Sequence, residues 1–203
     1  MRELVLLSGG VDSTVVLAEA VRRLGADAVG AVTFTYGQNQ ERQEVLSAAV
    51  VTRHYGVSHR LVDLGPIFGP SALTGELTMP VGHAEAPDAT EVPGRNLVLL
   101  SIAAAIADGE GYTAIAFGAN ASDAAGYPDC RPGFIAALAE ASMLGTRHHV
   151  TVHTPLVRRT KAEVIAWGRE LGAPLELTWS CYVGADEPCG TCGACVSRDE
   201  ALT

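Results

Sequence analysis

The chain has 203 residues and is nearly without lysine: it has one, Lys161, beside 13 arginines. It has no basic surplus either, with 14 cations against 23 carboxylates and a net charge of −9. A protein that grips RNA or duplex DNA carries a basic face, so nucleic acid is excluded as the expected partner and a small molecule is favoured. The largest cationic cluster is Arg158-Arg159 with Lys161. No apolar run approaches the roughly 20 residues that span a bilayer. The first ten residues, MRELVLLSGG, run straight into an apolar strand and leave no room for a cleaved leader, so a cytoplasmic location is expected. In such a compartment the five cysteines point to metal binding or catalysis rather than disulfides.

What the chain does have is alternation. Strands are expected over 3–7, 28–35, 59–64, 113–118 and 149–153. Helices are expected over 13–24, 38–55, 96–110, 132–144 and 160–171. Strands separated by helices of this length imply a parallel sheet covered on both faces. Right-handed crossovers then give an α/β, Rossmann-like three-layer domain. Two segments break the rhythm. Residues 65–95 are rich in Pro, Gly and Thr, and a loop of that length is expected to be functional. Residues 172–203 have little periodicity and hold four of the cysteines. The division expected is a catalytic body over 1–171 and a tail over 172–203, both in one globular unit.

The stretch LLSGGVDSTVVL joins the first strand to the first helix. Leu7, Ser8, Gly9, Gly10 and Val11 lie where backbone N–H groups can face an anion, with a helix N-terminus expected at about Ser13. Gly9 and Gly10 can take positive φ. Ser8, Ser13 and Thr14 add hydroxyl donors. Asp12 beside phosphate makes sense if Mg²⁺ lies between them. The loop lacks the lysine of the GxxxxGK[ST] pattern. Lys161, at the start of the last periodic helix, is the candidate for that charge.

Cys181, Cys189, Cys192 and Cys195 follow a C-x7-C-x2-C-x2-C spacing. Four thiolates suit one tetrahedral Zn²⁺ with a structural role, while iron–sulfur proteins also use C-x2-C runs. Cys130 stands apart.

SGGVDST resembles the pyrophosphate loop of the PP-loop ATP pyrophosphatases, an adenine nucleotide alpha hydrolase-like fold. With VPGRN (92–96), GYPDCR (126–131), HTPL (153–156) and the cysteine tail, nearly the whole chain resembles the QueC family of 7-cyano-7-deazaguanine synthases. That resemblance implies a ligase using ATP, Mg²⁺ and one Zn²⁺ per subunit. Its substrates are 7-carboxy-7-deazaguanine and ammonia, and its partners extend to a homodimer. Asp12, Lys161 and Arg95 are then the catalytic candidates. The loop residues 7–14 with Phe34, Tyr36 and Gln38 would hold the nucleotide. Arg95, Asn96, Tyr127, Asp129 and Arg131 would face the substrate, with Asp129 accepting from the purine N–H groups. Two alternatives remain at this stage. One is a PP-loop tRNA thiolase that uses Cys130, and the other a 7-deazapurine paralogue reshaped by the Ala-rich 119–125 segment.

Overall fold

A computed structural model describes residues 1–81 and 87–202. The elements run β1 (Glu3–Leu6), α1 (Val11–Leu24), β2 (Val29–Thr35), α2 (Glu41–Tyr55), β3 (Ser58–Asp63), α3 (Pro87–Thr90) and α4 (Arg95–Glu110). They continue with β4 (Ala114–Ala116), α5 (Asp123–Gly126), α6 (Pro132–Gly145), β5 (Thr151–His153), α7 (Lys161–Glu170) and α8 (Gly193–Leu202). The expected long loop, 65–95, contains a 3-10 turn at Ala72–Thr74 and the short α3, and its residues 82–86 lie outside the described residues.

All strand pairs are parallel, in the order β3-β2-β1-β4-β5. The period-2 alternation of the strands separates two cores. Val5, Ala31 and Ala116 face α1, α2 and α7, whose Val15, Val51 and Val164 bury against them. Leu4, Val32, Phe34 and Ile115 face α4 and α6, where Leu100, Ala103 and Leu138 pack. The three layers are therefore those the alternation predicts. The chain reverses its direction of travel between β1 and β4, and an open sheet of this kind has its ligand crevice beyond the carboxyl ends of those two strands.

Two expectations change. The first helix begins at Val11, not Ser13, because Gly10 serves as its N-cap at φ −80°. Gly10 therefore does not use positive φ, while Gly9 does, at +82°. The tail is also more regular than its sequence periodicity shows. Residues 193–202 form α8, which leans on α7 and is tied down by Arg198. The Arg198 guanidinium donates to the Leu175 and Thr178 carbonyls at 3.0 and 3.1 Å and to Thr178 Oγ1 at 2.7 Å.

Candidate active site

Beyond β1, the chain turns at Ser8-Gly9-Gly10 into α1. The N–H groups of Val11, Asp12 and Ser13 start the helix and have no acceptor within it. Ser13 Oγ donates to the Gly10 carbonyl at 3.1 Å and accepts the Ser8 N–H at 3.2 Å, which closes the loop on itself. A Cβ on Gly9 would lie 2.5 Å from the Glu44 carbonyl oxygen of α2, so the loop is pressed against that helix. Its other neighbour is the turn after β4, where a Cβ on Gly118 would sit 3.2 Å from Ser13 N.

Lys161 opens α7. A capping box starts that helix: Thr160 Oγ1 accepts the Glu163 N–H at 3.3 Å, and Glu163 Oε2 accepts the Thr160 N–H at 2.8 Å. α7 packs closely on α1, where a Cβ on Gly168 would meet Val15 Cγ2 at 2.7 Å. This docking delivers Lys161 Nζ to within 2.7 Å of Asp12 Oδ2. The other oxygen, Asp12 Oδ1, is buried and has no partner among the described residues.

Two cavities of about 260 and 230 Å³ open at the switch point. Ser8, Asp12, Glu44, Asp123 and Tyr182 line both, and so form the seam between them. Gly10, Val11, Lys161 and Trp179 line the smaller one, on the phosphate-loop side. Leu7, Phe34, Tyr36, Arg95, Asn96 and Tyr127 line the larger one, and Ser13 borders it too. Arg95 Nη1 donates to Tyr36 Oη at 3.1 Å. The Arg95 guanidinium is pushed up, by Tyr36 above all, and burial pushes the Tyr36 and Tyr182 phenols up, so both face it as neutral hydroxyls.

Five of the sequence candidates have other tasks. Gly9 shapes the loop from behind. Thr14 is fully buried within α1 and borders neither cavity. Gln38 is buried behind the wall, accepting the Tyr36 N–H at 2.8 Å and donating to Glu44 at 2.9 Å. Asp129, expected at the purine, instead caps α4: its Oδ2 accepts the Asn96 N–H at 2.9 Å. A carboxylate placed there offsets the partial positive charge of the helix start and sets the Arg95-Asn96 turn. Arg131 is exposed and precedes Pro132 at the first turn of α6.

Residues that sequence reasoning missed are Glu44, Asp123, Gln40 and Tyr182. Asp123 is pushed up to about 6 by burial and by the Asp12 charge, against the Asn120 N–H, Lys161 and Arg95. The signal available was topological: the loops after β1 and β4 must share one crevice. Cys130 also borders the larger cavity and receives the Asn96 side-chain amide at 3.3 Å. Burial, with Asp123 and Asp129 nearby, pushes its thiol up to about 12, which leaves it a poor sulfur nucleophile.

In the tail, the sulfurs of Cys181, Cys189, Cys192 and Cys195 lie within 4.8 Å of one another. Burial raises the Cys189 thiol, but the Thr191 and Cys192 N–H groups outweigh it and bring it down to about 6. Zn–S bonds of about 2.3 Å set tetrahedral thiolates roughly 3.8 Å apart, so four sulfurs in this space can share one ion. The same segment closes the site. The Trp179 N–H donates to the Gly9 carbonyl at 2.9 Å, and Tyr182, next to Cys181, forms part of the seam.

A five-stranded parallel sheet with a lysine-free glycine loop at its switch point defines the PP-loop class of nucleotide-binding α/β fold. Solved structures with this fold are similar to the chain. NMN synthetase from Francisella tularensis matches with a TM-score of 0.55 at 15% identity, covering 93% of this chain and 70% of that one. The U34-tRNA thiolase NcsA from Methanococcus maripaludis, solved with its 4Fe–4S cluster, matches with a TM-score of 0.53 at 19% identity, covering 99% and 64%. The chain belongs to the QueC family: the model described as queuosine biosynthesis protein QueC matches residues 2–203. Curated relatives include the 7-cyano-7-deazaguanine synthases of Thermoplasma acidophilum and Archaeoglobus fulgidus. The first is 45% identical over 97% of this chain and 85% of its own, and the second 42% identical over 100% and 86%. Among the described residues no helix is long and apolar enough to cross a membrane.

Proposed function

We propose that the chain is an ATP-dependent ligase that converts 7-carboxy-7-deazaguanine and ammonia to 7-cyano-7-deazaguanine. The observation that carries this function is the Lys161–Asp12 pair at the mouth of the lysine-free loop, in a chain that matches the family from end to end. The substrate carboxylate attacks the α-phosphorus of ATP, the α–β bond breaks and pyrophosphate leaves. The N–H groups of Val11, Asp12 and Ser13 and the charge of Lys161 face the departing pyrophosphate. Asp12 Oδ1, a buried carboxylate oxygen without a donor, fits a magnesium ion, which would supply further neutralisation on the phosphates. Arg95 holds the substrate's carboxylate end, with Tyr127 against the ring and Phe34 and Tyr36 flanking the adenosine. Ammonia displaces AMP to give the amide. A second ATP activates the amide oxygen, and loss of AMP leaves the nitrile.

In this reading the four cysteines hold one zinc ion. A four-iron cluster would set each cysteine beyond its own iron, farther apart than four sulfurs around one ion. A cytoplasmic homodimer through the outer side of α4, where Leu97 is exposed, goes with the same reading. The raised thiol of Cys130 speaks against sulfur transfer. The deciding experiment supplies ATP, Mg²⁺, ammonium and 7-carboxy-7-deazaguanine and follows products by mass spectrometry. Nitrile with AMP and pyrophosphate is expected. ADP and phosphate, or neither amide nor nitrile, would overturn the assignment.

A further inference from the structure

The phosphate loop leaves unused a group of side chains at the start of α2. Glu44 is in the first turn of that helix and in the seam between the cavities. Its Oε2 accepts from Gln38 Nε2 at 2.9 Å and its Oε1 from Gln40 Nε2 at 3.3 Å. The second bond fixes the Gln40 amide, with nitrogen toward Glu44 and oxygen turned away. Gln40 is only 3% exposed, it lines the larger cavity, and its Oε1 has no partner among the described residues. A buried carbonyl oxygen left without a donor costs about 1–3 kcal/mol. Each Glu44 oxygen thus has one amide donor, and Gln40 Oε1 is the acceptor beside them left without one.

We propose that Glu44 and Gln40 form the subsite that binds the ammonium ion, the second substrate of the reaction proposed above, on which this inference rests. Ammonium brings four donors and one positive charge in the volume of a water molecule. The Glu44 carboxylate meets the charge, and Gln40 Oε1 takes a further N–H. Tyr36 and Tyr182 border the same cavity and suit a monovalent cation. Magnesium fits less well, since it retains its waters and is held through carboxylates and phosphates together, on the Asp12 side. Burial pushes the Glu44 carboxyl up, against the Gln38 amide and Arg95, and a cation bound beside it favours the ionised form. The position also suits the chemistry. Glu44 borders the seam where a ring in one cavity and phosphates in the other must meet at the activated carboxyl carbon.

Adenylation needs no ammonium, which gives a clean test. The full chain, with Mg²⁺ and 7-carboxy-7-deazaguanine, is assayed for ATP–pyrophosphate exchange. No acid-dependent exchange in the wild type would refute the proposed function itself rather than the subsite. Amide formation is then measured against ammonium for Glu44→Gln and Gln40→Met. The KM for ammonium is expected to rise about 10- to 100-fold in Glu44→Gln and about 10-fold in Gln40→Met. Exchange in both should fall by less than about threefold, which also shows that the variants are folded. An unchanged ammonium KM overturns the proposal, as does exchange that falls in parallel. A shift in the KM for the acid or in the Mg²⁺ dependence of exchange assigns Glu44 to those ligands instead.

Discussion

Lys161 Nζ lies 2.7 Å from Asp12 Oδ2, a contact between residues 149 positions apart. Without nucleotide, the carboxylate holds the ammonium of the side chain at the mouth of the phosphate loop. Both side chains are 25% exposed, so the pair contributes less than about 1 kcal/mol to stability. Lys161→Met should therefore unfold within a few degrees of wild type. Its rate of AMP release should fall about 100-fold or more, because the charge facing the leaving pyrophosphate is gone. A variant that melts early yet turns over normally would place Lys161 in the scaffold instead.

Gly9→Ala should be among the most damaging single changes. The position has φ +82°, and the added Cβ would lie 2.5 Å from the Glu44 carbonyl oxygen and 2.9 Å from Ala48 N. Both obstacles are backbone and cannot rotate away. The cost is on the order of 3 kcal/mol, read as a lower urea midpoint at unchanged m-value. Gly10→Ala, at φ −80° with 3.4 Å contacts, should cost far less.

The layers and the phosphate loop were legible because each rests on local pattern: apolar runs, helical spacing, and glycines between strand and helix. Lys161 was legible for a different reason, as the chain's only lysine at a helix start. Glu44, Asp123 and Tyr182 were not, since α2, the turn after β4 and the tail meet only through the sheet order. The tasks of Asp129 and Gln38 were not legible either, because a polar side chain beside a turn can serve the backbone next to it, as both do in accepting a neighbouring N–H. Helix α8 was hidden because Arg198 and the Cys195 knuckle hold it, and neither leaves a periodic trace.

Asp123 gives a pH signature. Its carboxyl is pushed up to about 6 from an ordinary 3.8, with burial as the leading cause. Between those values the folded chain binds more protons than the unfolded one, so stability falls as pH rises through the window. Above pH 6 the penalty is complete. Asp123→Asn removes the charge and keeps an acceptor for the Asn120 N–H. Without nucleotide or Mg²⁺, near pH 7.5, it should melt about 2–4 °C higher, or about 1 kcal/mol. Near pH 4.5 the gain should shrink to about a third, and it should vanish below about pH 3.5. An equal gain at both pH values would trace it to packing rather than to charge.

The metal knuckle should report on the active site through Trp179. Its indole N–H donates to the Cys181 carbonyl at 2.8 Å, while its backbone N–H holds the Gly9 carbonyl. The other tryptophan, Trp167, lies under Arg159 at 4.1 Å on α7 and makes neither of these bonds. Stripping the metal with a thiol-reactive agent and chelator should release one ion per chain. Trp179 emission should then shift to the red by more than that of Trp167, which Trp167→Phe and Trp179→Phe variants can separate. Nucleotide binding should weaken in step, because Tyr182 and the Gly9 anchor belong to the same segment. Cys195→Ser should reproduce these effects, and Cys130→Ser should leave metal content intact, since its sulfur is not among the four. Metal loss with unchanged Trp179 emission and nucleotide affinity would show that the knuckle and the phosphate loop are independent.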